Sequence, residues 1–136
     1  MDLILDQLKF DANGLIPAIA QQWDTGEVLM MAWMSRDTIL KSINQKRAVY
    51  YSRSRQSQWR KGDTSGHIQT IIEIRSDCDG DTLLLLVDQI GAACHEHTRT
   101  CFTRQIAHND QINGISMIEN RDTFYPDLCK FTNKNN

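Results

Sequence analysis

The sequence predicts an α+β domain built on a mainly antiparallel sheet that curls towards a half-barrel, with one or two helices. Most apolar segments are short and rich in β-branched or aromatic residues, as strands are. One segment instead carries apolar residues at helical spacing. The 136 residues, 40% of them apolar, suffice for a single domain with a modest core.

The segment after Ser35, a good N-cap residue, is predicted to be helical to about Gln45. Pro17 indicates that the first strand lies at a sheet edge or contains a bulge. The polar residues 56–66 are predicted to form a long loop, and the tail from Thr103 a short helix or an extension. The predicted strands are 14–23, 28–34, 48–54, 67–76 and 82–87.

The fourth of these strands alternates between apolar and polar residues. Ile72 and Ile74 are predicted to lie on one face, and Gln69 and Glu73 on the other. This is the pattern of a strand with one covered face and one exposed face.

Composition narrows the possible functions. A net charge of −2 argues against a general nucleic-acid binder. No apolar run approaches the roughly 20 residues that cross a bilayer, and the first ten residues lack the features of a secretion signal. A cytoplasmic, reducing location is therefore expected, in which the four cysteines are ligands or free thiols.

Three cysteines and three aspartates are interleaved in one short stretch. Cys78 lies within Asp77–Asp81, and Cys94 and Cys101 follow. Thiolates suit a soft ion such as Zn²⁺, and carboxylates a hard ion such as Mg²⁺. In an extended chain the three carboxylates would lie on the face opposite Cys78. The sequence thus predicts two metal sites that share one hairpin.

Three thiolates without a fourth cysteine are typical of a catalytic zinc site, in which water takes the open position. His95 is adjacent to Cys94, so it is expected to be a nearby acid or base rather than a fourth ligand. Cys129 is expected to be a small buried hydrophobe. The aspartates have two other interpretations. One is a solvated turn; the other, an EF-hand, is excluded because Thr82 and Asp88 occupy its glycine and glutamate positions.

Residues 53–67 carry four cations, several hydroxyls and two glycines. This composition suits a phosphate-bearing ligand, because guanidinium groups bind phosphate oxygens while amides and hydroxyls complete the shell. A solvated basic loop is the simpler interpretation. Single-stranded RNA binding, with Tyr50, Tyr51 and Trp59 as stacking platforms, is disfavoured by the acidic overall charge. His67 by itself is more often structural than catalytic.

Several segments together resemble the phosphoribosyl-AMP cyclohydrolase family, which performs the third step of histidine biosynthesis. The resemblance covers about residues 10–102 and leaves out the tail 103–136. The segments that carry it are Gly14–Ala18, Thr25–Met30, Tyr50–Arg55, Trp59–Gly62, Thr64–His67, Asp77–Asp81, Cys94-His95 and Cys101-Phe102.

The resemblance implies a homodimer that requires Zn²⁺ and Mg²⁺ and acts on a small nucleotide. The family hydrolyses the N1–C6 bond of the adenine ring in 1-(5-phosphoribosyl)-AMP. One Zn²⁺ per subunit would be bound by Cys78 of one subunit and by Cys94 and Cys101 of the other. The residues that would bind Mg²⁺ are Asp77, Asp79 and Asp81.

The resemblance also suggests roles in catalysis. Water activated at the zinc site, with His95 as the base, would attack C6, the position that zinc deaminases attack in adenine. His67 would be a second proton carrier or a substrate contact. By their residue types, the side chains that would bind the substrate phosphates are those of Arg53, Arg60, Lys61, Thr64 and Ser65.

The chain departs from the family pattern beside Cys94. Glu96 and His97 replace a common Thr-Gly pair, although Arg99 is kept. An extra carboxylate and imidazole here would shift the pH optimum or compete for the metal, while the ligand set stays the same. The residues after Phe102 are too few for the pyrophosphohydrolase domain that some family members carry. Two other hypotheses stay open: a zinc nucleobase deaminase, whose cysteine signature is absent, and a non-catalytic fold in which zinc joins two subunits.

Overall fold

The computed structural model describes residues 2–108 and 111–117, with side chains for residues 3–108. The predictions for Cys129 and for the rest of the tail lie outside these ranges. Within them, every helix is too short or too polar to cross a membrane. The elements in chain order are α1 (Asp2–Leu5), β1 (Leu15–Gln22), β2 (Val28–Ser35), α2 (Arg36–Gln45), β3 (Val49–Ser52), β4 (Ser57–Arg60), β5 (Gln69–Ser76), β6 (Leu83–Gln89), β7 (Arg104–His108) and β8 (Gln111–Met117).

Six strands form one sheet in the order β4-β3-β2-β1-β6-β5. β1 and β6 run parallel, with Ala18 opposite Leu83, while the other neighbours are antiparallel. The sheet is therefore mixed, which corrects the prediction of a mainly antiparallel sheet. Strand patterns do not encode direction, and β1 and β6 are far apart in the chain.

The sheet curls into a half-barrel, so the α+β class and the curled architecture are confirmed. Its two sides approach where the start of β5 meets the residues before β3. The amide of Ala48 donates to the Gln69 carbonyl at 2.9 Å, and the amide of Ile71 donates to the Lys46 carbonyl at 3.0 Å. These bonds join β5 to residues that precede β3, although β3 and β5 are not neighbours in the sheet.

The helix α2 begins and ends where the sequence predicts. The Ser35 hydroxyl accepts a hydrogen bond from the Thr38 amide at 3.2 Å, and the Thr38 hydroxyl accepts one from the Ser35 amide at 2.8 Å. This reciprocal capping box fixes the N-terminus. Ile39 is buried, and Lys46 ends the helix in the left-handed conformation.

The core is formed by alternate residues of β1 and β6, together with side chains from β2, β3 and α2. This alternation follows from the pleat, which points every second side chain to the same face. The fully buried members include Ile16, Ala18, Ala20, Leu29, Met34, Tyr50, Leu85 and Val87.

The structure corrects two predictions about strands. β1 is central rather than an edge strand, although its pairing with β2 shifts between Ala20 and Gln21, as the alternative of a bulge predicts. It tolerates Pro17 because pairing with β6 begins only at Ala18. The predicted loop 56–66 begins with β4, which pairs with β3 at the sheet edge. β4 was missed because its exposed polar residues show no apolar alternation.

The alternation predicted for β5 is also wrong. The pairing of β5 with β6 shifts between Ile71 and Glu73, and the extra residue of such a bulge moves later side chains to the other face. Ile72, at the bulge, is 51% exposed. Gln69, before the bulge, is fully buried and shares the inner face with Ile74, which follows the bulge.

The described part of the tail is neither a short helix nor a single extension. β7 and β8 pair as an antiparallel hairpin that forms a separate two-stranded sheet. Its weak periodicity concealed it, because most residues of β7 are exposed.

The loop between β4 and β5 depends on Gly62, and this yields a test. Gly62 has φ +92°, and a Cβ there would lie 2.6 Å from backbone and side-chain atoms of Ile68. Gly66 has φ +79° but open space around it. We expect Gly66→Ala to lower the free energy of unfolding by about 1–2 kcal/mol through its left-handed backbone. Gly62→Ala should cost roughly 1–3 kcal/mol more, because the collision adds to the same backbone penalty.

Urea denaturation of both variants measures the difference. Equal losses would show that the loop does not need the close approach of Gly62 to Ile68.

Candidate active site

A cleft of about 750 Å³ is lined by the loop that follows β4 and the loop that follows β6. Its volume lies within the range of small-molecule sites. It brings most of the predicted substrate-binding residues together with both predicted proton carriers and one predicted zinc ligand. The predicted residues that line it are Arg60, Lys61, Thr64, Ser65, His67, Cys94 and His95.

Arg60 is held at the wall of the cleft by its neighbours. Its Nε donates to Asp63 Oδ1 at 2.7 Å, and its Nη1 donates to Gln45 Oε1 at 3.1 Å. Arg47 donates to the same Asp63 oxygen at 3.2 Å. These contacts orient the guanidinium group before any ligand arrives, which reduces the entropy that binding must spend.

Lys61 joins the two loops. It is only 6% exposed, and its Nζ donates to the carbonyls of His67 and Ala92, both at 3.1 Å. Burial lowers the pKa of Lys61, while the charges of Cys101 and Cys94 oppose that shift. Lys61 therefore lines the cleft, but its ammonium group is bound by two backbone carbonyls.

Arg53 is not among the residues that line the cleft. Its guanidinium carbon lies 4.4 Å from the centre of the Trp33 ring, a cation–π contact. Arg55 lines the cleft instead. The sequence identified Arg55 only as one cation of the basic loop. The turn between β3 and β4, of which only residues 53 and 54 are predicted as strand, decides which arginine lines the cleft.

Three histidines line the cleft, of which the sequence assigned roles to His67 and His95. The third, His97, has its ring centroid 6.5 Å from that of His67, in an edge-on arrangement. Its φ of +66° is left-handed, at the position where the family commonly has glycine. That departure was the available signal for a special backbone position.

Glu96, the other departure from the family pattern, forms an ion pair with Arg104 of β7 at 3.6 Å. Both side chains are largely exposed, so the pair contributes little to stability. The contact joins the loop after β6 to the hairpin of the tail.

The thiols of Cys94 and Cys101 interact. Burial, followed by the charge of Cys94 and a hydrogen bond to it, raises the pKa of Cys101 to about 11. Two adjacent thiols resist joint ionisation unless a cation compensates their charge. The pair therefore fits a soft divalent ion.

Cys78 lies at the opposite end of the hairpin. It is exposed in the loop between β5 and β6, whereas Cys94 follows β6. The seven residues of β6 span roughly 20 Å at about 3.3 Å per residue. No trio of potential metal ligands that includes a cysteine is found among the described residues. Within one chain, Cys78 is therefore separated from Cys94 by the length of β6, and the metal sites remain a prediction.

The three aspartates do converge, with carboxylate oxygens within 4.8 Å of one another. They converge through a turn and not through an extended chain. Asp77 Oδ1 accepts from the amides of Asp81 and Thr82 at 3.0 and 3.3 Å, which closes the turn.

The charges of this cluster are coupled. The pKa of Asp81 is raised, first by its hydrogen bond with Asp77 and then by that with Asp79. Desolvation by itself would raise the pKa of Asp77, but its hydrogen bonds with Asp81, Asp79 and Thr82 together lower it. A hard divalent ion such as Mg²⁺ would relieve the repulsion in such a cluster.

Comparison with known proteins identifies the family. The family profile described as phosphoribosyl-AMP cyclohydrolase matches residues 30–103, which include the basic loop, the three aspartates and the three cysteines. A protein of that name from Rhodospirillum centenum is 59% identical over 106 residues, which are 78% of this chain and 80% of its own.

Two further relatives bear the same name. The one from Granulibacter bethesdensis is 51% identical over 116 residues, covering 85% of this chain and 91% of the relative. The one from Streptomyces coelicolor is 54% identical over 108 residues, covering 79% and 84%. Together with the cleft and its residues, these matches show that the chain belongs to the phosphoribosyl-AMP cyclohydrolase family.

Proposed function

We propose that this chain hydrolyses phosphoribosyl-AMP in the cleft described above, opening the adenine ring at the N1–C6 bond as the third step of histidine biosynthesis. One observation carries the proposal: a single cleft holds Cys94 and His95 opposite the basic loop that contains Arg60. All three residues lie in the region that matches the family profile.

Cys94 and Cys101 would bind Zn²⁺ together with Cys78 of the partner subunit. The effect of Cys94 on the ionisation of Cys101 supports the pair, and the length of β6 between Cys78 and Cys94 supports a third ligand from another chain. Zn²⁺, when bound, supplies a Lewis acid that makes water a stronger acid.

His95 would accept the proton of the attacking water, since it lines the cleft beside Cys94 and imidazoles exchange protons near neutral pH. The water oxygen bonds to C6, the N1–C6 bond breaks, and N1 takes up a proton. His67, on the other loop, would be the second proton carrier. No ammonia is released, because the exocyclic amine stays on the product.

The substrate phosphates would be bound by Arg60, Thr64 and Ser65, which line the cleft, with Arg55 as an additional cation. Lys61 would serve mainly to hold the two loops together. Arg53 would not contact the substrate, since its guanidinium group lies over Trp33.

Mg²⁺ would be bound by Asp77, Asp79 and Asp81 and would neutralise a substrate phosphate. These carboxylates flank Cys78 in sequence. A subunit contact that carries Cys78 to the zinc site of the other subunit would therefore bring the carboxylates near the same cleft. Magnesium sites often combine a few carboxylates with substrate phosphate in this way.

An intertwined homodimer with one Zn²⁺ per subunit follows from this division of ligands. Exposed apolar side chains support the dimer. Ile72, on the strand that leads to Cys78, is 51% exposed, and Phe102, which follows Cys101, is 49% exposed. The described cysteines are free thiols, as a cytoplasmic location would require.

The first test is turnover of phosphoribosyl-AMP by the purified protein, followed by ultraviolet absorbance before and after zinc chelation. We expect chelation to abolish turnover and added Zn²⁺ to restore it, without release of ammonia. A folded, zinc-loaded dimer that is inactive with Mg²⁺ present would contradict the proposal and favour a zinc ion that only joins subunits. Release of ammonia would instead indicate a nucleobase deaminase.

The second test asks whether the zinc ligands come from two subunits. Cys78→Ser and Cys101→Ser homodimers should each be inactive. Unfolded together and refolded as an equal mixture, they should recover about one quarter of the parent activity, because half of the dimers contain one intact site of two. The matched mixture of Cys94→Ser with Cys101→Ser should recover none, since both changes damage the same half of the site. Equal results from the two mixtures would rule out the shared site.

The third test concerns His67, whose imidazole is in close contact with Gly91. A Cβ on Gly91 would lie 2.6 Å from His67 Cδ2, whereas nothing lies within 4 Å of one on Gly14. Both glycines have φ +76°, so alanine strains their backbones alike. Gly91→Ala should lower kcat about tenfold or more, because a positioned proton carrier contributes about 10²–10⁴-fold.

Gly14→Ala is the control, and it should lower Tm to a similar extent while kcat stays unchanged. Full kcat in Gly91→Ala would show that the position of His67 does not limit the reaction.

A further inference from the structure

The segment that bears Cys94 and Cys101 has no regular secondary structure, since residues 90–103 contain neither helix nor strand. Its shape must therefore come from other hydrogen bonds. The end near Cys101 is fixed on β2, where the Cys101 amide donates to the Leu29 carbonyl at 2.7 Å and the Thr100 hydroxyl donates to the Val28 carbonyl at 2.7 Å.

Gln89, the last residue of β6, fixes the rest of the segment. It is 3% exposed, and its side-chain nitrogen Nε2 donates to the backbone carbonyls of Gly91 and Arg99 at 3.1 and 2.9 Å. These carbonyls lie on either side of Cys94 in the chain. One side chain thus closes the loop that carries a proposed zinc ligand.

The orientation of the Gln89 amide is set from the core. The Tyr50 hydroxyl donates to Gln69 Oε1 at 2.6 Å, and Gln69 Nε2 donates to Gln89 Oε1 at 2.8 Å. Tyr50 and Gln69 are fully buried, and burial raises the pKa of Tyr50, so it remains a donor. The side-chain oxygens of Gln69 and Gln89 thus each accept a hydrogen bond from the core. The Nε2 group of Gln89 is therefore left to face the loop carbonyls.

Arg99 closes the same loop from outside. Its guanidinium group donates to the carbonyls of Gln89 and Gly91 at 3.0 and 3.3 Å, and to Gln22 Oε1 at 3.1 Å. Gln22 Oε1 also accepts a hydrogen bond from the backbone amide of Gln89 at 2.9 Å. Gln89, Arg99 and Gln22 thus form one hydrogen-bonded network that holds both ends of the loop. Loss of the Gln89 side-chain amide would weaken the whole network.

We propose that Gln89 is a positioning residue that preorganises Cys94 and Cys101 for metal binding. It acts through the Gly91 and Arg99 carbonyls and does not contact the thiols. The inference rests on the proposed zinc role of these cysteines. Without Gln89, metal binding would have to order the loop, and its affinity would fall accordingly.

The test is the affinity of the full-length protein for Zn²⁺, measured by competition with a chelator. Gln89→Met keeps the volume but removes the amide, and we expect binding about 10–100-fold weaker. Gln21→Met is the matched control. Gln21 is a partly buried glutamine on β1 that donates to the Gly26 carbonyl, away from the loop, so its loss should leave zinc affinity unchanged.

Cys101→Ser separates the two levels of the argument. If Cys101→Ser binds Zn²⁺ as tightly as the parent, the proposed metal site is wrong. If it binds weakly while Gln89→Met keeps the parent affinity, the metal site stands and the positioning role is overturned.

A variant with a purely structural defect is recognised by thermal unfolding of the metal-free protein. Lower Tm with unchanged zinc affinity, measured well below that Tm, would overturn the inference. If Gln89→Met does not fold, Gln89→Asn replaces it, since its shorter amide cannot span both carbonyls. Weaker zinc binding by the folded Gln89→Asn protein would support the inference, and parent affinity would overturn it.

Discussion

A chain of buried hydrogen bonds from Tyr50 on β3, through Gln69 on β5, to Gln89 on β6 crosses the open side of the curled sheet. β3 and β5 are separated by three strands in the sheet order, so the Tyr50–Gln69 bond exists only because the sheet curls. A polar group buried without a partner costs more than the bond itself contributes, so the side chains and the curvature require each other.

The curvature also creates the cleft. It brings β4 and the cations that follow it, at one edge of the sheet, next to the loop after β6, with Cys94 and His95, near the other edge. Lys61 holds the two loops at a fixed separation through its bonds to His67 and Ala92. The cleft is thus a product of strand curvature combined with one buried cation.

The hairpin of β5 and β6 divides the chemistry between its two ends. The turn at one end gathers three carboxylates and exposes Cys78, while the loop at the other end pairs Cys94 with Cys101. A rigid strand pair cannot fold back to join its own ends. Under the proposed function, a second copy of the chain completes the site, and dimerisation becomes a condition for activity rather than a source of stability alone.

The sequence by itself determined the elements whose signals are local. The N-cap at Ser35, the apolar segments that form β1 and β6, the soft and hard donor sets around Cys78, and the resemblance to the family were all legible in it. Local steric preferences, side-chain chemistry and motif spacing do not depend on distant contacts.

Only the tertiary structure decided the rest. The parallel pairing of β1 with β6, the bulge in β5 that exposes Ile72, the turn that places Arg55 rather than Arg53 at the cleft, and the separation of Cys78 from Cys94 all depend on how distant segments pack. Strand direction, register and curvature are settled by long-range hydrogen bonding and burial, which no local pattern of residues encodes.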